Sequence, residues 1–363
     1  MAKQIGYAVI GLGSVARTAV LPAFARATEH SRLVAVISGD RGKAQVVAQQ
    51  FHATAYHYDE LRRCLQRDDV NVLYITLPNS LHCDYAVEAA RAGAHVLCEP
   101  PMAVTADECR RMIRTCQTNR VRLMIAYRLA VRPSMLRALA LIRAGDIGMP
   151  KTFSADFTSL VDAPDDIRLQ RRLGGGSVYH LGVECIHAAR RLLGVEPAQV
   201  MAMTARTSRR YGGDVDEGTV ALVRFPDERL AHFHTSFGEE PTSRFTVFGE
   251  EGSVQVDNAF EPNAPGRLTV VRHREPSEAA FEATDEFAAV LEACSGAIRE
   301  ERAPEPSGVD GLQDTRVIEA IYRSARDGRP VTLPRLAGLE PSAAAQATPQ
   351  NAPREAGDRQ RAS

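Results

Sequence analysis

A two-domain α/β chain is predicted, with a doubly wound parallel sheet first and then an α+β domain on a large open, mostly antiparallel sheet. Three observations lead there. A glycine-rich turn, Ile10-Gly11-Leu12-Gly13-Ser14-Val15-Ala16, comes directly off an apolar strand, apolar runs alternate with helical patterns as far as Tyr127, and most segments between Val200 and Val271 alternate residue by residue. Parallel strands joined by right-handed helical crossovers produce the first two, and a sheet with one solvated face produces the third.

Tyr7 to Ile10 reads as the first strand and Val15 to Ala25 as the helix after it. In such a turn Gly11 permits the tight bend, Gly13 lets backbone N–H groups approach a pyrophosphate, and Ala16 lets helix and strand pack closely. A dinucleotide's pyrophosphate would lie against Gly11, Gly13, Ser14 and Val15, where orphan N–H groups and the helix dipole favour an anion. Leu33 to Ile37, Val72 to Thr76, His95 to Cys98 and Arg122 to Tyr127 supply the other strands of this Rossmann sheet. A helix from Pro133 to Ala144, closed by Gly145, leads to a strand over Lys151 to Thr158. Val220 to Phe225, Leu230 to Phe237, Arg244 to Phe248, Ser253 to Val256 and Leu268 to Val271 follow as strands, separated by turn residues such as Pro226-Asp227. Helices over Thr284 to Ala297 and Gly308 to Asp327 close the globule. Residues 1–124 are expected to form the dinucleotide-binding domain, 125–332 the substrate and oligomerisation domain, and 333–363, rich in Ala, Pro, Gln and charge, a disordered tail.

A formal net charge of -1, with both signs scattered and no basic stripe, argues against nucleic acid or an anionic membrane as partner and for a small molecule. Seven cysteines, an odd number with no Cys-x-x-Cys, fit small core residues in a reducing compartment. No apolar stretch is long enough for a bilayer and no leader precedes the first strand, so a cytoplasmic location is expected.

The end of the second strand chooses the cofactor. There Val36-Ile37 is followed by Ser38-Gly39-Asp40-Arg41-Gly42-Lys43. Ser38 beside Gly39 can donate to a 2′-phosphate, and Arg41 and Lys43 add positive charge, so NADP(H) is favoured over NAD(H). Asp40 would suit a free ribose instead, and the two cations are also what a solvated helix start carries.

Thr76-Leu77-Pro78-Asn79-Ser80-Leu81-His82, His95 to Ala103, Met124-Ile125-Ala126-Tyr127-Arg128-Leu129 and Gly174-Gly175-Gly176 follow in turn. In order and spacing they resemble the glucose-fructose oxidoreductase, inositol dehydrogenase and MocA family of sugar dehydrogenases, over residues 5 to 332. The resemblance implies a sugar-like substrate, a homo-oligomer formed through the C-terminal sheet, and a nicotinamide pocket lined by Leu77, Pro78, Asn79, His82, Glu99 and Arg128. Taken alone, Pro78-Asn79 suits any strand-to-helix turn, and a lone His82 is more often a hydrogen-bonded structural histidine.

The chain departs from this family at its chemical centre. The usual Glu-Lys-Pro reads Glu99-Pro100-Pro101, which removes the cation that polarises the substrate oxygen. After the triple glycine, the family's Asp, His or Tyr, and Asp or Asn are replaced by His180, Glu184 and His187. Spacings of four and three put these on one helical face, with Arg191 a turn beyond. One reading is a solvated face with Glu184 paired along the helix. A second is a rebuilt proton-transfer site, in which His180 is favoured by proton affinity and Glu184 by position, with His187 orienting and Glu99 nearby. A third is a divalent metal such as zinc on His180, Glu184 and His187, replacing the lost lysine. The expected activity is an NADP(H)-dependent oxidoreductase. A nicotinamide-binding scaffold or sensor, and a redox-neutral glycoside-cleaving enzyme, are the alternatives.

Overall fold

The computed structural model describes residues 4–163, 165–207 and 214–336. Six parallel strands, β1 (Ile5–Ile10), β2 (Ser31–Ser38), β3 (Thr54–His57), β4 (Val72–Ile75), β5 (His95–Cys98) and β6 (Leu123–Ile125), form one sheet in the order β3-β2-β1-β4-β5-β6. β1 lies between β2 and β4, and all of it beyond Ile5 is buried, as an apolar strand covered on both faces must be. The helices α1 (Leu21–Ala23), α2 (Arg41–Gln50), α3 (Leu61–Leu65), α4 (His82–Arg91) and α5 (Ala106–Thr118) alternate with these strands. Their starts are locally encoded. Asp40 accepts the Lys43 N–H at 2.9 Å to cap α2, and Thr105 with Glu108 closes a capping box on α5. The helix expected over Val15 to Ala25 is a π turn, Ala16–Val20, running into α1. Pro22 has no N–H for the carbonyl four residues back and its ring crowds that carbonyl, so the turn before it widens.

The second sheet has nine strands: β7 (Pro150–Thr158), β8 (Gln199–Ala205), β9 (Gly218–Arg224), β10 (Leu230–Ser236), β11 (Thr242–Gly249), β12 (Gly252–Asp257), β13 (Gly266–Arg272), β14 (Glu275–Phe281) and β15 (Val331–Thr332). Their order is β14-β13-β12-β11-β7-β10-β9-β8-β15. β7 and β10 run parallel, and the other neighbours are antiparallel. The helices α6 (Pro133–Arg143), α7 (Val183–Leu193) and α9 (Gly308–Asp327) pack on one face, where Phe153, Phe233 and Phe245 are buried. The alternate residues Met203, Val220 and Leu222 of β8 and β9 are exposed.

The last part of the chain does not respect the expected division. Helix α8 (Glu286–Arg299) returns to the first sheet, where Phe287, Val290 and Leu291 join one buried cluster with Tyr7, Val9 and Phe24. Ser295 Oγ meets the Tyr7 and Ser31 hydroxyls at 2.7 Å each. Residues 333–336, assigned to the tail, still belong to the fold: the Leu333 N–H donates to the Ala198 carbonyl at 2.8 Å, and Leu333 and Leu336 pack on the core. Residues 337–363 lie outside the described residues. All seven cysteines are buried and free of disulfides. Among the described residues no helix is long and apolar enough to cross a membrane.

Candidate active site

The glycine turn has the shape its sequence implies. Gly11 adopts φ +97°, and a Cβ there would stand 2.8 Å from the Thr76 carbonyl oxygen. The Thr76 hydroxyl donates to the Gly11 carbonyl at 2.6 Å, tying β1 to β4 where both strands end. Gly13, by contrast, faces open space: among the described residues no atom beyond Gly13 and its two chain neighbours lies within 4 Å of where its Cβ would be. Gly13, Ser14 and Val15 are exposed at the start of the helical turns, which is the cradle a pyrophosphate requires. Gly13→Ala is therefore expected to leave thermal stability unchanged and to weaken NADPH binding by about tenfold, or ~1.4 kcal/mol, in a fluorescence titration.

At the end of β2, Ser38 accepts the Asp40 N–H at 3.2 Å, leaving its own proton to donate. Asp40 caps α2 through one carboxylate oxygen. Lys43 is exposed, whereas Arg41 is paired with Asp59 and Glu60 at 3.1 Å each. Carboxylates from the β3 end thus already balance the Arg41 charge. His57 meets the Gly39 carbonyl at 3.0 Å and fixes the loop.

After β4, Leu77 and Asn79 are buried around Pro78, and Asn79 Nδ2 donates to the Gly174 carbonyl at 2.8 Å. Gly174, at φ +79°, lies so close that a Cβ would approach Asn79 Cβ to 2.7 Å. The triple glycine thus brings the second half of the chain against the first. His82, which the resemblance assigns to the nicotinamide pocket, is fully buried, with its ring nitrogens 2.8 Å from the Leu77 carbonyl and 3.0 Å from the Pro101 carbonyl, and so ties the loops after β4 and β5 together.

Beside these loops stands a cluster of buried charge. Arg128 lies 3.5 Å from both Glu184 and Glu286, and Arg132 lies 2.6 Å from Glu286. Glu99, at the end of β5, accepts a hydrogen bond from the Tyr74 hydroxyl and feels both Arg128 and Glu184. Two guanidiniums therefore face three carboxyl groups, so one carboxyl can remain protonated without leaving the cluster charged. Burial raises the pKa of Glu99 to about 7, against the pull of Tyr74 and Arg128. Burial raises Glu184 as well, while Arg128 and His187 oppose it, and one Glu184 oxygen, Oε2, has no partner. A carboxyl whose pKa rises on folding stabilises the fold fully below its ordinary 4.5, and that stabilisation is lost as pH rises through about 7. Glu99→Gln should flatten this fall in urea stability.

The His180, Glu184 and His187 stripe is not a solvated face. Glu184 and His187 are buried in α7, and His180 sits before it in a π turn, Val178–Gly182. The three side chains diverge to different partners. His180 Nε2 lies 3.5 Å from Asn79 Nδ2, Glu184 reaches Arg128, and His187 Nδ1 lies 3.0 Å from Asp314. Their ligand atoms do not converge, so the zinc reading is withdrawn; among the described residues the His/Cys/Asp/Glu trio close enough to share an ion is Glu29, His30 and Glu292, far along the chain from this stripe. The proton-affinity ranking also reverses, because burial and Arg168 push His180 down to about 4 while Glu184 rises. His180 is then neutral at physiological pH and a poor base, leaving Glu184 favoured on both counts.

Residues 5–127 match the family model described as an oxidoreductase family with an NAD-binding Rossmann fold, and residues 135–255 match the GFO/IDH/MocA C-terminal domain. A D-xylose 1-dehydrogenase (NADP(+)) of Haloferax volcanii is 32% identical over 90% of this chain and 99% of its own length. The chain belongs to the Gfo/Idh/MocA family of oxidoreductases. Another Gfo/Idh/MocA relative, a dTDP-3,4-didehydro-2,6-dideoxy-alpha-D-glucose 3-reductase of Streptomyces violaceoruber, is 33% identical over 89% of this chain and 93% of its own. Among solved structures, an aldose-aldose oxidoreductase from Caulobacter crescentus, complexed with glycerol, superposes with TM-score 0.87 at 36% identity, covering 91% of this chain and all of that one. A 3-ketoreductase from Actinomadura kijaniata with NADP and TDP-benzene gives TM-score 0.81 at 26% identity, covering 89% and 98%. Both halves of the Gfo/Idh/MocA architecture are thus present.

Several members of this Gfo/Idh/MocA site escaped the sequence reading: Tyr74, Tyr127, Arg132, Glu286, Asp314 and Arg190. One signal was visible for Asp314. It lies with Val317, Ile318 and Ile321, three, four and seven residues on, on the apolar side of a helical pattern, where a carboxylate needs a buried partner.

Proposed function

We propose that this protein is an NADP(H)-dependent oxidoreductase that moves hydride between the nicotinamide and a carbinol carbon of a sugar or related polyhydroxylated compound, with Glu184 exchanging the hydroxyl proton. The observation that carries this reading is Glu184 itself, a buried carboxyl with one oxygen held toward Arg128 and the other unpartnered. The cradle at Gly11 and Gly13 fits a dinucleotide, and the donor set of Ser38 and Lys43 favours the 2′-phosphate form. The relatives named for NADP(+) and the ketoreductase solved with NADP support the same cofactor. When bound, the nicotinamide supplies or accepts the hydride at its ring carbon.

The chain's own residues do the rest. Glu184 Oε2 accepts the hydroxyl proton as the carbinol is oxidised and returns it in reduction. Arg128 fixes the other Glu184 oxygen and keeps a cation in the cluster where Pro100 replaces the usual lysine. Glu99, with its raised pKa, stays largely neutral below pH 7 and spares the cluster a further negative charge. His180, neutral beside Asn79, offers a ring nitrogen to a substrate hydroxyl.

The test is the absorbance of reduced nicotinamide when protein meets NADP⁺ or NAD⁺ with a panel of aldoses and cyclitols. Turnover faster with NADP⁺ and indifferent to chelator is expected. Tight NADPH binding without turnover across the panel would replace this reading with a nicotinamide-binding scaffold. We also propose that the exposed Met203, Val220 and Leu222 of β8 and β9 seat a second copy of the chain. Leu222→Asp should lower the mass seen by light scattering without altering far-ultraviolet dichroism, and an unchanged mass would remove this face from the assembly.

A further inference from the structure

Behind Glu184 lies a second ionisable group whose surroundings are too ordered for a mere core residue. His187 stacks on Tyr127, with ring centroids 3.8 Å apart and planes within 6°. Its Nδ1 lies 3.0 Å from one oxygen of Asp314, and Arg190 holds the other oxygen at 2.5 Å. Arg190 is fixed in turn by both Glu196 oxygens at 2.7 Å and by the Asp310 carbonyl at 3.1 Å. Burial opposes charge on Asp314, yet Arg190 and His187 hold its pKa below the ordinary carboxylate value. An ionised Asp314 accepts, so the proton of His187 sits on Nδ1 and Nε2 is the open nitrogen.

That nitrogen is buried and has no partner, and the same is true of Glu184 Oε2. The two residues are three apart on α7, one helical turn, where side chains are neighbours. The charged and titratable groups around them are Glu99 at the end of β5, Tyr127, Arg128 and Arg132 after β6, Asp310 and Asp314 from α9, Arg190 from α7 itself, and Glu286 from α8. A carboxyl that takes a proton in such a place, only 4% exposed, has no bulk water to pass it to.

We propose that His187, positioned by Asp314, is the proton-exchanging partner of Glu184, so that carboxyl and imidazole work as one buried relay. The inference rests on Glu184 being the base. In oxidation the substrate O–H bond breaks as the proton joins Glu184 Oε2, while the hydride leaves the same carbon for the nicotinamide. One bridging water then takes the proton of the Glu184 O–H as it gives one of its own to His187 Nε2, so that the Glu184 O–H bond breaks and an N–H bond forms. The product is an imidazolium against the Asp314 carboxylate and a regenerated Glu184 carboxylate. The proton returns by the same path when product leaves and water replaces it.

The test begins with the free protein, by long-range proton–nitrogen NMR of its ¹⁵N-labelled histidines. His187 should appear as the Nδ1–H form, and Asp314→Asn should shift its tautomer balance. In Glu184→Gln the nitrogen signal of His187 Nε2 should move, because that nitrogen loses its exchange partner. An Nε2 signal identical in Glu184→Gln and the parent would overturn the relay. In turnover, His187→Gln should lower kcat by about tenfold or more with KM little changed, and an unaltered kcat would also overturn it. A fully active Glu184→Gln enzyme would remove the base assignment, and with it the catalytic meaning of the relay. The NMR coupling between the two side chains is read independently of that outcome.

Discussion

Glu184→Gln is expected to lower kcat for sugar oxidation by about 10²–10⁴-fold, the usual contribution of a positioned general base, with KM for the sugar little changed. Glutamine keeps the size of the side chain and a partner for Arg128, so the fold and the ion cluster survive while the proton-accepting oxygen is gone. The same substitution should leave NADPH affinity within a few-fold of the parent, as measured by fluorescence. His180→Ala serves as the control. Its imidazole, pushed down to about 4 by burial and Arg168, has little affinity for a proton at neutral pH, so a smaller loss concentrated in KM is expected. Full activity in Glu184→Gln combined with a collapse in His180→Ala would move the proton role to His180.

Arg132→Met should be among the most destabilising single changes, costing about 3–5 kcal/mol as read from the midpoint of urea unfolding. The guanidinium is 3% exposed and satisfies four acceptors: the carbonyls of Asn258, Glu261 and Ala264 at 2.6, 2.6 and 3.0 Å, and Glu286 at 2.6 Å. Methionine fills much of the volume but leaves three carbonyls without their donor and the buried Glu286 carboxylate with only the more distant Arg128. A buried charge stripped of its partner is what makes such losses large. Because Glu286 also faces Arg128, the variant should bind NADPH more weakly than its stability loss alone implies. A loss below about 1 kcal/mol would mean that water replaces the guanidinium at this position.

Much of the fold was readable because its signals are local. The strand at Tyr7 to Ile10, the glycine turn and the alternating strands from Val220 to Val271 each depend on a few neighbouring residues. β14 was not readable, since Glu275 to Phe281 carries Pro276 and two glutamates and is exposed along nearly its whole length. Charges and proline are how an edge strand avoids pairing with strangers, so they hide the strand from any hydrophobic pattern. The site divides in the same way. Gly11 stands out by its spacing and Asn79, Glu99 and Glu184 by the resemblance, whereas the order of His180 and Glu184 in proton affinity follows from neither. Proton affinity depends on burial and on Arg128 and Arg168, which no one-dimensional spacing contains. The metal reading failed for a related reason: spacing placed three ligands on one face, but Asn79, Arg128 and Asp314 draw the side chains apart.

The return of α8 to the first sheet bears on how the polypeptide matures during synthesis. A ribosome delivers the nucleotide-binding half first, yet Tyr7 and Ser31 await Ser295, and the apolar surface of Val9 and Phe24 awaits Phe287 and Leu291. Until residue 299 has emerged, the half-finished sheet presents an oily face and two unquenched hydroxyls to solvent or to a chaperone. The halves are therefore not interchangeable modules. A genetic fusion that borrows only the first 124 residues inherits a sheet missing one of its covers, and a chimera that swaps the second half must carry a compatible α8 with it.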